Sequence, residues 1–316
     1  MCGINGIISN SFSQAELKQK ISLMNNSIIH RGPDSEGVFT NEGVALGFRR
    51  LSIIDLSSNG DQPMISSSGR YVIIFNGEIY NFPSLKKDLV KDFSVSFRGS
   101  SDTEVLLSLI ENYGLKKALE KVQGMFGFAL LDNIDNTLHL CRDRLGEKPL
   151  YYSIINSELF FSSELKPITN LLKSKLTLDI DNINFFINKS YFPEDSSVFN
   201  QVKKVIPGTV ISLNLNGNKV SNLSTWPYWD FKDIVKESIN NPVVNYEEAL
   251  SSLDDMLDVK VKERMISDVP LGAFLSGGYD SSLIVSLMQK NSLKKIKTFS
   301  IGFHSALHNE AEEAKK

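Results

Sequence analysis

Cysteine is scarce. Cys2 and Cys141 are the only two in 316 residues, too few for a disulfide framework and in keeping with a reducing cytoplasm. Four histidines, His30, His139, His304 and His308, stand at no zinc-ligand spacing from either cysteine, so a structural metal site is not expected. No sign of charge dominates. Lys and Arg number 34 against 37 Asp and Glu, a formal net charge of -3, which leaves no global basic field for nucleic acid or an anionic membrane surface. The longest apolar runs, residues 126–131 and 72–75, fall far short of the roughly 18 residues a spanning helix needs. The first residues also lack the basic-then-apolar layout of a signal peptide. What remains is an ordinary soluble composition, 41% hydrophobic and 22% charged, with room for about two domains.

The first two hundred or so residues read as short strands with a few helices. Ile, Val, Phe and Tyr concentrate in segments 3–9, 44–54, 71–79, 125–132, 137–142, 150–155 and 159–163, with turn residues between them. Leu17, Ile21 and Met24 recur at helical steps over 14–24, and Ser101-Asp102-Thr103-Glu104 has capping-box form ahead of Val105, Leu106, Leu109 and Ile110. That helix is expected to stop at Gly114. Segments 210–215 and 219–223 flank Asn216-Gly217-Asn218 as a hairpin. The polar stretch that follows marks a boundary, giving a domain over 1–215, a linker over 216–245 and a second domain from 246 to 316. In the second, Leu250, Leu253, Leu257, Val261 and Met265 form an amphipathic helix, followed by an apolar strand 271–275, a Gly-containing turn, a helix 281–289 and a strand 297–303. This is a βαβ unit of a parallel sheet.

Cys2 is the sharpest single feature. Methionine is commonly trimmed before a small residue, which would leave cysteine first, and its α-amine, with a reference pKa of about 8, could take the thiol proton without a histidine. A second-position cysteine alone is most often incidental; here Gly3 and a strand follow at once, so the nucleophile starts a sheet. Asn76-Gly77-Glu78 closes the strand over 71–75. An Asn amide and the N–H of a Gly that lets substrate approach the backbone suit a tetrahedral oxyanion, and a plain Asn-Gly turn is the other reading. Arg50 offers a fork for a carboxylate, and Asp102, unless it merely caps its helix, would complement it by taking an ammonium.

Between the later strand and helix lies Ser276-Gly277-Gly278-Tyr279-Asp280-Ser281-Ser282. Glycine-freed amides, hydroxyls at the helix start and the positive helix end make a cradle for phosphate oxygens. The spacing and the lysine of a Walker A loop are missing. Asp280 is placed to help hold magnesium. Cys141 reads as a small buried residue rather than a second nucleophile, Arg142-Asp143-Arg144 could equally be a structural ion network and stays out of the catalytic set, and Trp226-Pro227-Tyr228-Trp229 reads as packing for the linker.

Together these residues resemble the glutamine-hydrolysing asparagine synthetases. The resemblance runs through Met1-Cys2-Gly3-Ile4, His30-Arg31-Gly32-Pro33-Asp34, Gln62-Pro63-Met64, segments 50–57, 75–81, 101–105 and 141–152, Gly124-Met125-Phe126-Gly127-Phe128-Ala129, Ser163-Glu164-Leu165-Lys166, Pro207-Gly208-Thr209 and segment 275–282. It implies an α+β N-terminal-nucleophile αββα sandwich, followed by the start of an α/β parallel-sheet ATP-pyrophosphatase domain. It implies Cys2 as nucleophile, Asn76 and Gly77 as oxyanion hole, and Arg50, Ile53, Asn76, Gly77, Glu78 and Asp102 around glutamine. For ATP it implies Leu275, Ser276, Gly277, Gly278, Asp280, Ser281, Ser282 and Ile301, with Asp280 at Mg2+, aspartate as acceptor, and often a homodimer. Phe48 stands where histidine is expected, Tyr279 where leucine is common, and the chain stops soon after its first βαβ unit, as a truncated member would. A related ligase amidating a sugar acid, a stand-alone glutaminase and a regulatory protein without turnover are the alternatives.

Overall fold

The computed structural model describes residues 1–216, 219–304 and 309–315. Gly217 and Asn218 of the expected hairpin turn, His308 and Lys316 lie outside the described residues. Strand β1 (Gly3–Ile8) is buried at every position, so both of its faces must meet apolar layers. Helix α1 (Gln14–Ser27) starts at a Ser13/Glu16 capping box and buries Leu17, Ile21 and Met24, the spacing read from the sequence. Then come β2 (Ser35–Asn41), β3 (Val44–Arg50), β4 (Met64–Ile65), β5 (Tyr71–Ile79), α2 (Phe82–Phe93), α3 (Asp102–Tyr113) and α4 (Leu115–Lys121). They are followed by β6 (Gly124–Asp132), β7 (Thr137–Arg142), β8 (Tyr151–Ile155), β9 (Glu158–Ser162), α5 (Leu165–Leu172), α6 (Ile180–Lys189), β10 (Lys203–Lys204), β11 (Thr209–Asn216), β12 (Lys219–Pro227) and α7 (Phe231–Asn240).

The chain divides into two compact units, Met1–Phe231 and the residues from Lys232 on. The first holds two six-stranded sheets among the described residues, ordered β10-β8-β9-β1-β3-β2 and β12-β11-β7-β6-β5-β4. Every named pairing in them is antiparallel. Ile4, Ile8, Leu46 and Phe48 of one sheet meet Val72, Ile74, Ala129, Leu131 and Leu140 of the other in a single core. Strand alternation sends Ile7 and Ala45 to the far face, where they pack with Leu17, Ile21 and Met24 of α1 and Ile168 and Leu172 of α5. Helix α3 lies against β5 on the outside of the second sheet, burying Val105, Leu106, Leu109 and Ile110. Helix, sheet, sheet, helix: the first unit is the expected αββα sandwich.

The first unit reaches further than residue 215. Strand β12, expected over 219–223 as the second hairpin strand yet counted within the 216–245 linker, pairs with β11 from Thr209↔Pro227 to Asn216↔Lys219. Trp226 donates from Nε1 to Ser212 Oγ at 3.2 Å, and Tyr228 donates from its hydroxyl to Arg142 O at 2.9 Å. The Trp-Pro-Tyr-Trp segment thus packs within the first unit, at the β12 edge of its sheet. Exposed residues past 223 hid its second half, because an edge strand with one wet face resembles a linker in composition.

The second unit, taken by itself, contains α8 (Tyr246–Glu263), β13 (Gly272–Phe274), α9 (Tyr279–Lys290), β14 (Lys297–Phe299) and α10 (Ala311–Lys315). Strands β13 and β14 pair in parallel, with α9 as the crossover, as the sequence pattern required. Val261 of α8 packs on Leu287 and Met288 of α9. Strand β14 ends at Phe299, four residues before the expected 303.

The boundary is testable by truncation. A fragment ending at Phe231 should unfold in one cooperative transition and stay monomeric in sedimentation, whereas one ending at Leu215 loses β12, bares β11 and aggregates.

Candidate active site

Strand β5 builds the site. Its pairing with β6 runs the whole length from Tyr71↔Asp132 to Ile79↔Gly124, so Asn76-Gly77-Glu78 is continuous strand and not the Asn-Gly turn that its composition allowed. On its other side β4 reaches only Val72 and Ile73, leaving the rest of that edge without a strand. Phe126 spends its N–H and C=O on Asp143, so the Gly77↔Phe126 pair exchanges no ladder bonds and Gly77, like Phe75 and Ile79, turns its N–H to the open edge. Phe75 donates there to Gln62 Oε1 at 2.6 Å, and Ile79 to Asp102 Oδ2 at 2.8 Å. The N–H between them, that of Gly77, faces the cavity wall. The glycine itself is demanded from behind: a Cβ built there runs into Met125 O and the Phe126 backbone. The sequence reading assigned that requirement to substrate approach; close strand packing imposes it.

A cavity of about 290 Å³ is lined by Cys2, Arg50, Ile53, Asn76, Gly77, Glu78 and Asp102, all of the glutamine-site residues expected from sequence, together with Met1, Gln62 and Lys148. Asn76 is 1% exposed, and its Nδ2 is buried with no hydrogen-bond partner among the described residues. Such an orphan donor is costly unless something arrives to accept from it. Cys2 Sγ accepts from Leu51 N at 3.4 Å and is also within 3.6 Å of Leu51 O. Its main chain is pinned by Arg31, whose Nε donates to Cys2 O at 2.9 Å while Nη1 donates to Glu164 Oε1 at 3.1 Å. Burial pushes the Cys2 thiol above its ordinary value, with Leu51 N–H and the terminal amine opposing.

Arg50 sits at the end of β3 and is aimed by three acceptors: Ser57 O and Asp61 Oδ1, each 2.8 Å from Nη1, and Asp55 O, which takes Nη2. Asp102 opens α3, but Ser101 caps the helix by accepting from Glu104 N at 3.2 Å. Glu104 does not complete the capping box. It accepts instead from Arg98 N and Gly99 N, both at 2.9 Å. Freed from capping, the Asp102 carboxyl is buried, and desolvation raises it to about 6 against the Ile79, Thr103 and Asp102 amides that favour its charge.

Two supporting residues carried no role in the sequence reading. Gln62 holds Phe75 N and also donates from Nε2 to Thr103 Oγ1 at 3.2 Å, tying the β5 edge to α3; only its place in Gln62-Pro63-Met64 signalled it. Arg31 was visible only within His30-Arg31-Gly32-Pro33-Asp34. Arg142 and Asp143 form no ion pair among the described residues: Arg142 donates to Lys148 O, Val205 O and Gly146 O, and Asp143 accepts from the amides of Leu145, Glu147 and Lys148. Cys141 is fully buried, and burial holds its thiol far above the ordinary range.

In the second unit, Ser276, Gly277 and Gly278 turn the chain from β13 into α9, with Gly277 at φ +84°, a conformation glycine supplies without strain. Ser276 and Ser281 hydroxyls lie 3.0 Å apart, and Ser276 N donates to Ser281 Oγ at 3.3 Å. Asp280 is exposed in the first turn of α9 and Ser282 is half-buried in the same turn. Leu275 N donates to Phe299 O at 2.9 Å, while Ile301 is exposed beyond β14. Tyr279, where leucine is common, is 97% exposed.

Residues 1–229 match the family described as glutamine amidotransferase domain. The chain belongs to that family. Residues 252–316 of this amidotransferase match the asparagine synthase family. It is 37% identical over 318 residues to asparagine synthetase [glutamine-hydrolyzing] 1 of Bacillus subtilis, covering 100% of this chain and 48% of the relative. It is 35% identical to a putative asparagine synthetase [glutamine-hydrolyzing] 2 of Methanocaldococcus jannaschii, covering 96% and 60%, so the amidotransferase spans about half the length of these curated relatives. Among solved structures, glutamine PRPP amidotransferase from B. subtilis shares the fold at TM-score 0.54 and 18% identity, over 72% of this chain and 49% of that one.

Asp102 provides a pH test. With its carboxyl near 6 when folded against 3.8 when unfolded, the folded state binds the extra proton between those values, so its stability falls as pH rises through that window and stays lower above it. Asp102→Asn keeps an acceptor for Ile79 N and removes the buried charge; at pH 8 it should raise the melting temperature by a few degrees, with no gain at pH 3, read by calorimetry. Gly77→Ala should cost about 1–3 kcal/mol in urea denaturation through the Met125 and Phe126 contacts.

Proposed function

We propose that the protein is a glutamine-dependent asparagine synthetase, a carbon–nitrogen ligase whose glutaminase site and nucleotide loop this chain carries. Once Met1 is removed, the α-amine of Cys2 takes the thiol proton and Sγ attacks the side-chain carbonyl carbon of glutamine. Asn76 Nδ2 and Gly77 N–H take the resulting oxyanion, ammonia departs, and water releases glutamate from the thioester. Arg50 holds the glutamine α-carboxylate, Asp102 and Glu78 hold its ammonium, and Ile53 packs beside it. The observation that carries this reading is the buried Asn76 Nδ2, without a hydrogen-bond partner among the described residues, in the same cavity as Cys2.

In the second unit, the loop Ser276-Gly277-Gly278 and the hydroxyls of Ser281 and Ser282 suit the phosphates of ATP, with Leu275 and Ile301 near the adenine. One carboxylate plus phosphate oxygens is an ordinary donor set for magnesium, and exposed Asp280 at the start of α9 fits it. The ion would offset charge on the departing pyrophosphate. Aspartate is the acceptor that the relatives' names support; ATP activates its side-chain carboxylate as an acyl adenylate, and ammonia displaces AMP to give asparagine. We place the enzyme in the cytoplasm, where free Cys2 and Cys141 stay reduced. Among the described residues, no helix is long and apolar enough to cross a membrane.

Glutamate release from glutamine should disappear in Cys2→Ala, and Asn76→Ala should lower kcat by about 10²–10³ with little change in KM. Undiminished hydrolysis by Cys2→Ala would remove the nucleophile. AMP production by the full-length gene product should require aspartate; production with a uronic acid and none with aspartate would reassign the acceptor.

A further inference from the structure

Asp55 is a buried carboxylate, 5% exposed, that the reaction above leaves unused. Its φ of +57° lies in the left-handed region, which aspartate enters more readily than most residues but still at a cost. It does not line the cavity, although Ile53 and Ile54 just before it do. Its oxygens reach in two directions. The carbonyl accepts from Arg50 Nη2. Oδ1 accepts from Ser57 N at 3.1 Å and from the Ser57 hydroxyl, and Ser57 O accepts in turn from Arg50 Nη1 at 2.8 Å. Oδ2 crosses 45 residues of chain to accept from Ser100 N at 2.7 Å.

Ser100 stands just before Ser101, the cap of α3, and Asp102, its first residue. One side chain therefore holds both the guanidinium on one side of the cavity and the chain leading to the carboxyl on the other. A Cβ at Gly99 would meet Oδ2 at 2.3 Å, so glycine there is what lets the carboxylate close on Ser100 N. Burial pushes the Asp55 carboxyl up, but the Ser57 hydroxyl and the Ser100 and Ser57 amides outweigh it and hold it below its ordinary value. Two further bonds join the same segments: Asn59 Nδ2 donates to Arg98 O at 3.0 Å and Gln62 Nε2 to Thr103 Oγ1 at 3.2 Å. Asp55 differs from both in also holding Arg50.

We propose that Asp55 is a positioning residue for substrate selection, fixing the separation of Arg50 and Asp102 so that the cavity reads an α-carboxylate and an α-ammonium together. This rests on the reading given above, in which those two residues hold glutamine. Arg50 is held through the Asp55 carbonyl and Asp102 through its Oδ2, so the two ends of the clamp share one rigid support. Charged groups set in advance at the right spacing bind a ligand without first being ordered, which is where their selectivity comes from.

The test is the binding of glutamine and of glutaramate, which is glutamine without its α-ammonium, by titration calorimetry in the Cys2→Ala parent, where neither is hydrolysed. Adding Asp55→Asn keeps an acceptor for Ser57 but turns an NH2 towards Ser100 N, so the tether to α3 is cut while Asn59 and Gln62 still join the segments. Glutamine should bind about tenfold more weakly, and glutaramate should change by less than about twofold. Equal weakening of both ligands, or no weakening of glutamine, overturns the assignment. If Asp55→Asn loses the parent's melting temperature, hydrogen exchange in the parent decides: glutaramate, engaging Arg50 alone, should slow exchange of the Ser100 amide, and an unchanged rate overturns the assignment. A parent that binds glutamine no more tightly than glutaramate overturns instead the reading of Arg50 and Asp102 as the glutamine clamp.

Discussion

The free edge of β5 is the constraint on which the site depends. A strand with no neighbour must satisfy its N–H groups by other means, and here two of three successive edge donors are taken by side chains from distant segments, Gln62 and Asp102. Those two bonds bring the loop after β3 and the start of α3 to opposite ends of a gap one residue wide. Gly77 lies in the gap, and Asn76, one residue earlier, has its Nδ2 buried with no hydrogen-bond partner among the described residues. The geometry that could receive an oxyanion is thus a by-product of how an incomplete sheet edge is closed.

The charged groups follow the same economy. Arg50 is aimed by backbone carbonyls and Asp61 rather than by Asp102, so the cavity keeps a cation and a carboxyl apart instead of letting them neutralise each other. Asp102 is consequently buried without a cationic partner among the described residues, and desolvation holds it at about 6. On the proposed reading, a ligand carrying both a carboxylate and an ammonium would satisfy both groups at once.

Much of this was legible from residues. Cys2, Arg50, Asn76, Gly77 and Asp102 were singled out one by one, and the structure gathers them around one cavity. Strands with strong Ile, Val and Phe content were readable because burial on both faces leaves near-continuous apolar runs. Strand β2 was not: its seven residues, Ser-Glu-Gly-Val-Phe-Thr-Asn, are only half-buried at the sheet edge. Helix α6 buries none of its residues among its own ten, so its pattern had no core to report. The roles of Gln62 and Arg31 lay beyond reach because each acts across 13 or more residues of chain on a backbone atom, and backbone partners leave no mark on sequence.

The position of β1 bears on biosynthesis. It lies between β3 and β9 in the middle of its sheet, and Ile4 N donates to Ser163 Oγ across 159 residues. The ribosome therefore releases the cysteine end first, and the strand that flanks it on one side follows only on the order of 10 s later at 5–20 residues per second. Through that interval the segment beginning at Met1 lacks half its sheet, because neither β9 nor Glu164, which holds Arg31 Nη1, has been made. Completion of this sheet around the cysteine end is in this way delayed by chain order alone.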